Sequence, residues 1–147
     1  MDTLGDLKAA ALQGDADSQF NLAKKYNSGD GVVRNVEEAA RWFLASAERD
    51  HAKSQYNFGL MCLMGQGVTK DEKEAAKWIQ RSADNGIDRA QSTLGVMYLN
   101  GQGVEKNLNS AQKWMKMAAE QGLAEAQRNL ASLIYKTGID GSVGLAQ

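Results

Sequence analysis

Apolar and small residues along this chain follow a helical spacing, and the whole pattern returns every 36 residues. In the first unit Ala16, Phe20, Ala23 and Tyr26 lie three or four residues apart, which is the spacing of one face of a helix. A second helical pattern with an alanine-rich face begins near Asn35. A period of this length is the signature of stacked repeats. The sequence therefore predicts an all-α fold with two helices in each repeat.

The period is clearest at tryptophan, which occurs only at Trp42, Trp78 and Trp114, two equal intervals of 36 residues. Large aromatic side chains at a repeated helical position are usually buried. We therefore expect all three in the core, where truncation to alanine costs about 3–5 kcal/mol. Two further sets of equivalent repeat positions, here called columns, recur every 36 residues. They are Gln19, Gln55, Gln91 and Gln127, and the small residues Ala23, Gly59, Gly95 and Ala131. Glycine inside a helix costs about 1 kcal/mol relative to alanine, so Gly59 and Gly95 indicate a close helix crossing.

Each predicted helix has recognisable end signals. Glycine in the left-handed conformation commonly closes a helix, which predicts that the first helices end at Gly29, Gly65 and Gly101. Asn and Asp are strong N-caps, which places the starts of the second helices at Asn35, Asp71 and Asn107, with Glu38 and Glu74 arranged as in a capping box. The second helices are expected to end at Gly86 and Gly122, with Asp50 in the equivalent position of the first repeat.

These boundaries make residues 1–147 a single repeat domain. Residues 1–13 are predicted to be an N-terminal half-repeat cap, followed by full repeats at 14–49, 50–85 and 86–121. A fourth first helix occupies 122–137, and residues 138–147 form a glycine-rich tail. The last helix has no second helix after it in this pattern. Its apolar residues therefore need a cover from the tail, from another copy, or from chain beyond Gln147.

Composition argues against several classes of function. A net charge of −1 gives no overall field that would attract nucleic acid, and no stretch approaches the roughly 18 apolar residues of a membrane helix. We therefore expect no nucleic-acid partner and no membrane insertion. No Cys/His cluster has metal-ligand spacing. We therefore expect no bound metal and no cofactor. The single cysteine, Cys62, and the absence of a leader pattern favour the cytoplasm, although a chain trimmed of its leader would be an exported protein.

Two segments carry a family resemblance. Residues 90–104 read AQSTLGVMYLNGQGV and residues 111–119 read AQKWMKMAA, and both closely resemble the Sel1-like repeat, a relative of the tetratricopeptide repeat. The resemblance covers residues 14–136. It implies an α/α solenoid of antiparallel helix pairs and an adaptor role between proteins, in signalling or in bacterial interaction with a host. A secreted branch of the family staples its helix pairs with disulfides, and the lone Cys62 separates this chain from that branch.

In the related tetratricopeptide repeats the first helices line a concave face, so the resemblance implies a partner-binding groove here. The positions carried over are apolar at the centre and basic at the edges. They are Phe20, Lys24, Asn27, Lys53, Tyr56, Leu60, Leu63, Met64, Arg89, Val96, Leu99, Asn100, Arg128 and Tyr135. Such a surface suits a protein or peptide segment that is amphipathic or acidic. The alternative interpretation is that the apolar members pack against neighbouring helices and that the basic members are ordinary solvated charges.

Signals for catalysis are few. The only histidine, His51, lies at a helix boundary with no nucleophile or second ligand near it in sequence, which predicts a turn or capping role. Ser110-Ala-Gln-Lys113 is an S-x-x-K and Lys136-Thr137-Gly138 a K-T-G, and both are elements of penicillin-recognising enzymes. Because secreted relatives have been associated with penicillin binding, a β-lactamase-like hydrolase is one alternative function. A structural protein that self-associates end to end through its uncovered last helix is another. The sequence favours a non-enzymatic interaction scaffold over both.

Overall fold

A computed structural model of the chain describes residues 3–138, and these contain eight helices and no strand. The helices are α1 (Leu4–Leu12), α2 (Ala16–Ser28), α3 (Val36–Ala47), α4 (Ala52–Met64), α5 (Glu72–Asp84), α6 (Asp88–Asn100), α7 (Leu108–Glu120) and α8 (Ala124–Thr137). Each helix packs against the next one along the chain. The predicted α/α solenoid with 36-residue repeats is confirmed. Of the tail predicted at 138–147, only Gly138 belongs to the described residues.

The predicted helix ends are confirmed where the chain turns. Gly29, Gly65 and Gly101 follow α2, α4 and α6 with φ between 68° and 78°, the left-handed conformation that a side chain resists. After α5 the Gly86 N–H donates to the Ala83 carbonyl at 3.0 Å and the Ile87 N–H to the Ser82 carbonyl at 3.2 Å. These two bonds are those of a Schellman motif. Each turn therefore satisfies carbonyls that the helix end would otherwise leave unpaired.

The second helices begin at the predicted N-caps, but the capping box is incomplete. The side chains of Asn35, Asp71 and Asn107 each accept a hydrogen bond from the backbone N–H three residues later. The carboxylate of Glu74 instead accepts from Trp78 Nε1 at 3.0 Å, because the indole is close and needs an acceptor when it is buried. The reciprocal box forms only at α1 among the described helices, between Thr3 and Asp6.

The glutamine column ties each first helix to the helix before it. The side-chain amides of Gln19, Gln55, Gln91 and Gln127 donate to the carbonyls of Ala11, Ala47, Ala83 and Ala119, respectively, at 3.0–3.3 Å. These carbonyls lie at helix ends, where they have no partner in their own helix. The same bond repeated at every junction fixes the register of the stack.

The prediction of three buried tryptophans is correct for two. Trp78 and Trp114 are 4% and 8% exposed, whereas Trp42 is only half-buried. Lys77 lies over the ring of Trp78, and Lys113 lies over that of Trp114. Arg41 occupies the equivalent position before Trp42, but its guanidinium pairs with Glu38 at 3.5 Å. Arg41 therefore differs from Lys77 and Lys113, which lie over the rings of the tryptophans that follow them.

Candidate functional site

A cavity of about 820 Å³ lies at the N-terminal end of the molecule, between α1, α2 and α4. We call it the N-terminal cavity. It brings together five of the residues that the resemblance placed in the groove, Phe20, Lys24, Asn27, Leu60 and Met64. Its volume falls in the range of about 300–1,000 Å³ that is typical of ligand-binding pockets.

The wall of the N-terminal cavity combines a cluster of apolar side chains with polar and charged ones. Phe20 and Leu60 are half-buried and pack against the main core, and Met64 is 57% exposed at the rim. The apolar side chains that line the cavity are Leu4, Leu7, Phe20, Phe43, Leu60, Met61 and Met64. Removing such surface from water contributes roughly 25 cal/mol per Å², so the cavity favours an occupant with its own apolar side chains.

One cation at the cavity rim has no acidic partner. Lys25 is paired with Asp30, whose Oδ2 lies 3.5 Å from Lys25 Nζ. Lys24 has no such partner among residues 3–138, and its ammonium lies 5.1 Å above the centre of the Phe20 ring. A cation held over an aromatic face stays near the apolar wall. The cavity therefore presents a positive charge beside its apolar surface.

Phe20 is held in place by contacts from two further helices. Its ring centre is 6.0 Å from that of Phe43 in α3 and 4.8 Å from that of His51. His51 is the N-cap of α4, and its Nδ1 accepts a hydrogen bond from the Ser54 N–H at 3.2 Å. The other ring nitrogen, Nε2, therefore carries the proton of a neutral ring and donates to Asp17 Oδ1 at 2.9 Å. The predicted capping role of His51 is confirmed, and the cap also positions a wall residue of the cavity.

A second, shallower hollow of about 530 Å³ lies on the other side of Phe20. It contains Lys53, another of the predicted basic edge residues, together with Asp17, His51 and Ile87. The opposite charges of Asp17 and Lys53 leave this hollow without an excess of either sign. It therefore offers less electrostatic selectivity than the N-terminal cavity does.

The remaining predicted groove residues line neither hollow. Tyr56 is half-buried, and its hydroxyl lies 3.3 Å from Thr93 Oγ1, which joins α4 to α6. Leu63 packs against the main core, and Val96 and Leu99 pack against a second cluster around Met115 and Leu133. For these residues the structure favours the packing interpretation. The fully exposed members are Arg89, Asn100, Arg128 and Tyr135, and their role in binding stays a prediction.

The sequence interpretation missed the contribution of α1. Leu4 and Leu7 enter the N-terminal cavity from this helix, which the repeat pattern identifies only as a cap. A signal was present, because two leucines three residues apart in a polar segment mark an apolar face. Asn57 and Met61 of α4 also line the cavity, and their positions in the repeat gave no indication of this.

The candidate signals for catalysis and for membrane insertion can be compared with the described residues. Between Thr3 and Gly138 no group of three His, Cys, Asp or Glu side chains could hold a metal ion, and no helix is long and apolar enough to span a bilayer. Burial raises the pKa of the Cys62 thiol to about 11, which leaves almost no thiolate at neutral pH. The S-x-x-K lies within α7, where Lys113 is placed over the ring of Trp114. The K-T-G lies at the end of α8, where the Thr137 hydroxyl donates a hydrogen bond to the Leu133 carbonyl. That helical setting differs from the strand expected around a K-T-G.

A family model described as the Sel1 repeat matches this chain four times, at residues 16–51, 52–87, 88–123 and 124–144. The chain belongs to the Sel1 repeat family. Each match begins at the first residue of a first helix, in α2, α4, α6 and α8. Proteins of this family are generally non-catalytic scaffolds that bind other proteins. Comparison with curated protein sequences gives no match.

Solved structures of Sel1 repeat proteins resemble this chain closely. A Sel1 repeat protein from Oxalobacter formigenes is 40% identical, with a TM-score of 0.81 over 88% of this chain and 97% of that one. The protein c5321, a protective antigen of uropathogenic Escherichia coli with an SLR fold, is 32% identical, with a TM-score of 0.88 over 92% of this chain. This chain spans only 29% of c5321. Cysteine-rich protein B of Helicobacter pylori, at 21% identity and a TM-score of 0.67 over 87% of this chain and 98% of that one, shares the fold.

Proposed function

We propose that this Sel1 repeat protein is a non-enzymatic scaffold that binds an amphipathic segment of a partner protein in the N-terminal cavity. The observation that carries the proposal is the cluster of apolar side chains in the cavity beside Lys24, a cation without an acidic partner in the described chain. The partner segment presents two or three apolar side chains to the wall and an Asp or Glu to Lys24. Recognition of this kind, by an apolar groove with charges at its edge, is common among peptide-binding domains.

The two parts of the site have separate tasks. Contact with Leu60 and Met64 supplies most of the affinity, because a fully buried Met or Leu side chain contributes about 1.5–3 kcal/mol. Lys24 selects for acidic segments and speeds their approach, since charges at an interface rim act mainly on specificity and association rate. Screening by salt should therefore weaken binding through Lys24 without abolishing it.

A displayed library of random peptides, selected against the wild-type protein at dilute concentration, supplies the probe. The affinity of a selected peptide is then measured by fluorescence anisotropy for Met64→Glu and Lys24→Glu. Matched controls are Met117→Glu and Lys116→Glu, since both residues are exposed on α7, away from the cavity. We expect Met64→Glu to weaken binding at least about tenfold, as the loss of about 1.4 kcal/mol requires.

The charge variant has a different expected signature. Lys24→Glu should weaken the binding of acidic peptides and remove most of its dependence on salt, whereas Lys116→Glu should change neither. A library that gives no binder, or binders for which the cavity and α7 variants behave alike, rules out this site.

A further inference from the structure

The last helix, α8, leaves open the surface that every earlier first helix uses to hold its second helix. In α6 this surface includes Gln91, Leu94 and Gly95, all of them buried. At the equivalent positions of α8, Leu130 is half-buried, and both Gln127 and Ala131 are exposed. No helix within residues 3–138 follows α8. The surface is therefore a docking site for a second helix that the described chain does not fill.

The first helix, α1, shows the complementary defect, because it is a second helix without a first helix before it in the described chain. Its residues 8–14 read KAAALQG and match residues 116–122, KMAAEQG, at five of seven positions. The latter segment is the end of α7, which packs on α6. In complete repeats the position of Ala10 is occupied by Ser46, Ser82 and Ala118, all of them fully buried, whereas Ala10 is only half-buried.

We propose that a second copy of this chain supplies the missing helix, with α1 of one copy docked on α8 of the next. The two incomplete repeats then form one complete repeat across the contact. The interface continues the packing that α2 and α3, α4 and α5, and α6 and α7 already make within the chain. Because the two surfaces differ, the contact is heterologous and joins copies head to tail in an open series.

Polar groups at the two ends match in the same register. Within the chain, Gln121 Nε2 donates to Gln91 Oε1 at 2.8 Å and to the Gly86 carbonyl at 3.0 Å. One repeat further on, the donor position is Gln13 of the second copy, and the acceptors are Gln127 Oε1 and the Gly122 carbonyl. The proposed contact thus has the same residue types as the one within the chain, with Gln as the donor and Gln and Gly as the acceptors. Asn85 makes the corresponding bond to Gln55 Oε1 at 3.0 Å in the second repeat. The first repeat lacks this bond, because Arg49 occupies the donor position and Gln19 Oε1 has no hydrogen-bond partner. Two of the three complete repeats therefore use it.

The apolar groups match as well. Leu7 occupies the position of Ile79 and Met115, which lie against the small residues Gly59 and Gly95. The small residue in α8 is Ala131. Leu7 is half-buried in the single copy, so docking would cover it further. With nine residues in α1 the interface is smaller than that of stable complexes, and we expect association in the micromolar to millimolar range.

Two variants test the two sides of the proposed interface one at a time. Ala10→Glu blocks α1, and Ala131→Glu blocks α8; neither residue lines the N-terminal cavity. Sedimentation equilibrium across this concentration range should give a mass for the wild type that rises with concentration past that of a dimer. Each variant alone should stay a monomer. An equimolar mixture of the two should form a dimer and grow no further, because each contributes one intact end.

Ala9→Glu is the matched control, since Ala9 is exposed on α1 and should leave association unchanged. Circular dichroism checks that every variant keeps its helices. A wild type that stays monomeric throughout overturns the proposal. So does association of Ala10→Glu at the wild-type level, which is expected if α8 pairs with α8. Peptide binding by the monomeric variants reports on the N-terminal cavity independently of this result.

Discussion

The glycines inside α4 and α6 mark the closest approach between helices, and replacing them with alanine tests the packing directly. A Cβ atom at Gly59 would lie 2.6 Å from Ile79 Cγ1 and 3.3 Å from the Ala75 carbonyl oxygen. At Gly95 it would lie 2.8 Å from Met115 Cγ and 3.1 Å from the Ala111 carbonyl oxygen. Carbon atoms in van der Waals contact are about 3.5–4.0 Å apart, so either substitution forces a neighbour to move.

Two opposing effects decide the outcome. Alanine is favoured over glycine inside a helix by about 1 kcal/mol, whereas overpacking a core costs about 1–3 kcal/mol. Ile79 is fully buried and β-branched, and its stiff side chain cannot move away easily. Met115 is unbranched and adapts to irregular spaces. We therefore expect Gly59→Ala to lower the free energy of unfolding by about 1–2 kcal/mol, and Gly95→Ala to change it by less than about 1 kcal/mol.

Urea unfolding followed by circular dichroism measures both changes. The control is Ala131→Gly, measured at a dilute concentration where copies do not associate; it should cost about 1 kcal/mol in helix propensity alone, because Ala131 is exposed. In an Ile79→Ala background the contact with Ile79 Cγ1 is gone and only the contacts with backbone atoms at 3.3 Å remain, so adding Gly59→Ala should destabilise less there than in the wild type. If Gly59→Ala stabilises the wild type by the full propensity difference, α4 and α5 are not in close contact at this point and the reasoning fails.

Two further predictions concern buried side chains. Trp78→Ala should lower the free energy of unfolding by about 3–5 kcal/mol, and Trp42→Ala by less, because the Trp42 indole is only partly buried; equal losses in urea unfolding would contradict this. Cys62 is buried with a pKa raised to about 11 by desolvation, above its ordinary value of 9.0, so iodoacetamide should alkylate it slowly until denaturant is added. Because the folded state holds this proton more tightly than the unfolded state, stability should fall as pH rises from about 9 to about 11, and a Cys62→Ala variant should lose that part of the dependence.

The repeat architecture could be predicted because its signals are local. Gly29 adopts the left-handed turn and Asn35 caps α3, and both act through backbone atoms a few residues away. Such signals recur in each repeat, so four weak indications reinforce one another. Asp50 shows how far this extends: it adopts φ 64° where other repeats have glycine. Its side chain accepts bonds from Gln55 and Asn85, which also lower its pKa.

The candidate site was less predictable because it depends on contacts between repeats. Leu4 and Leu7 reach the N-terminal cavity from α1, which lies outside the three complete repeats. The hydroxyl of Tyr56 lies near Thr93 Oγ1, 37 residues away in the chain, and the place of Tyr56 in a groove stays a prediction. Trp42 is half-buried although it shares the repeat position of Trp78 and Trp114. Apart from the spacing of the two leucines in α1, none of these features depends on a pattern within a single helix, so periodicity carries no information about them.

The columns that build the scaffold cannot select a partner, because they are the same in every repeat. Selection falls to columns that differ, and the clearest is the one that reads Lys24, Leu60, Val96 and Ser132 on successive first helices. A partner segment shifted by one repeat would place its carboxylate against Leu60. It would lose the attraction of Lys24 and bury a charge without a partner, which is strongly unfavourable. We therefore propose that the succession of residues along this column sets the register in which the acidic, amphipathic segment of the proposed partner binds, although each repeat has almost the same shape.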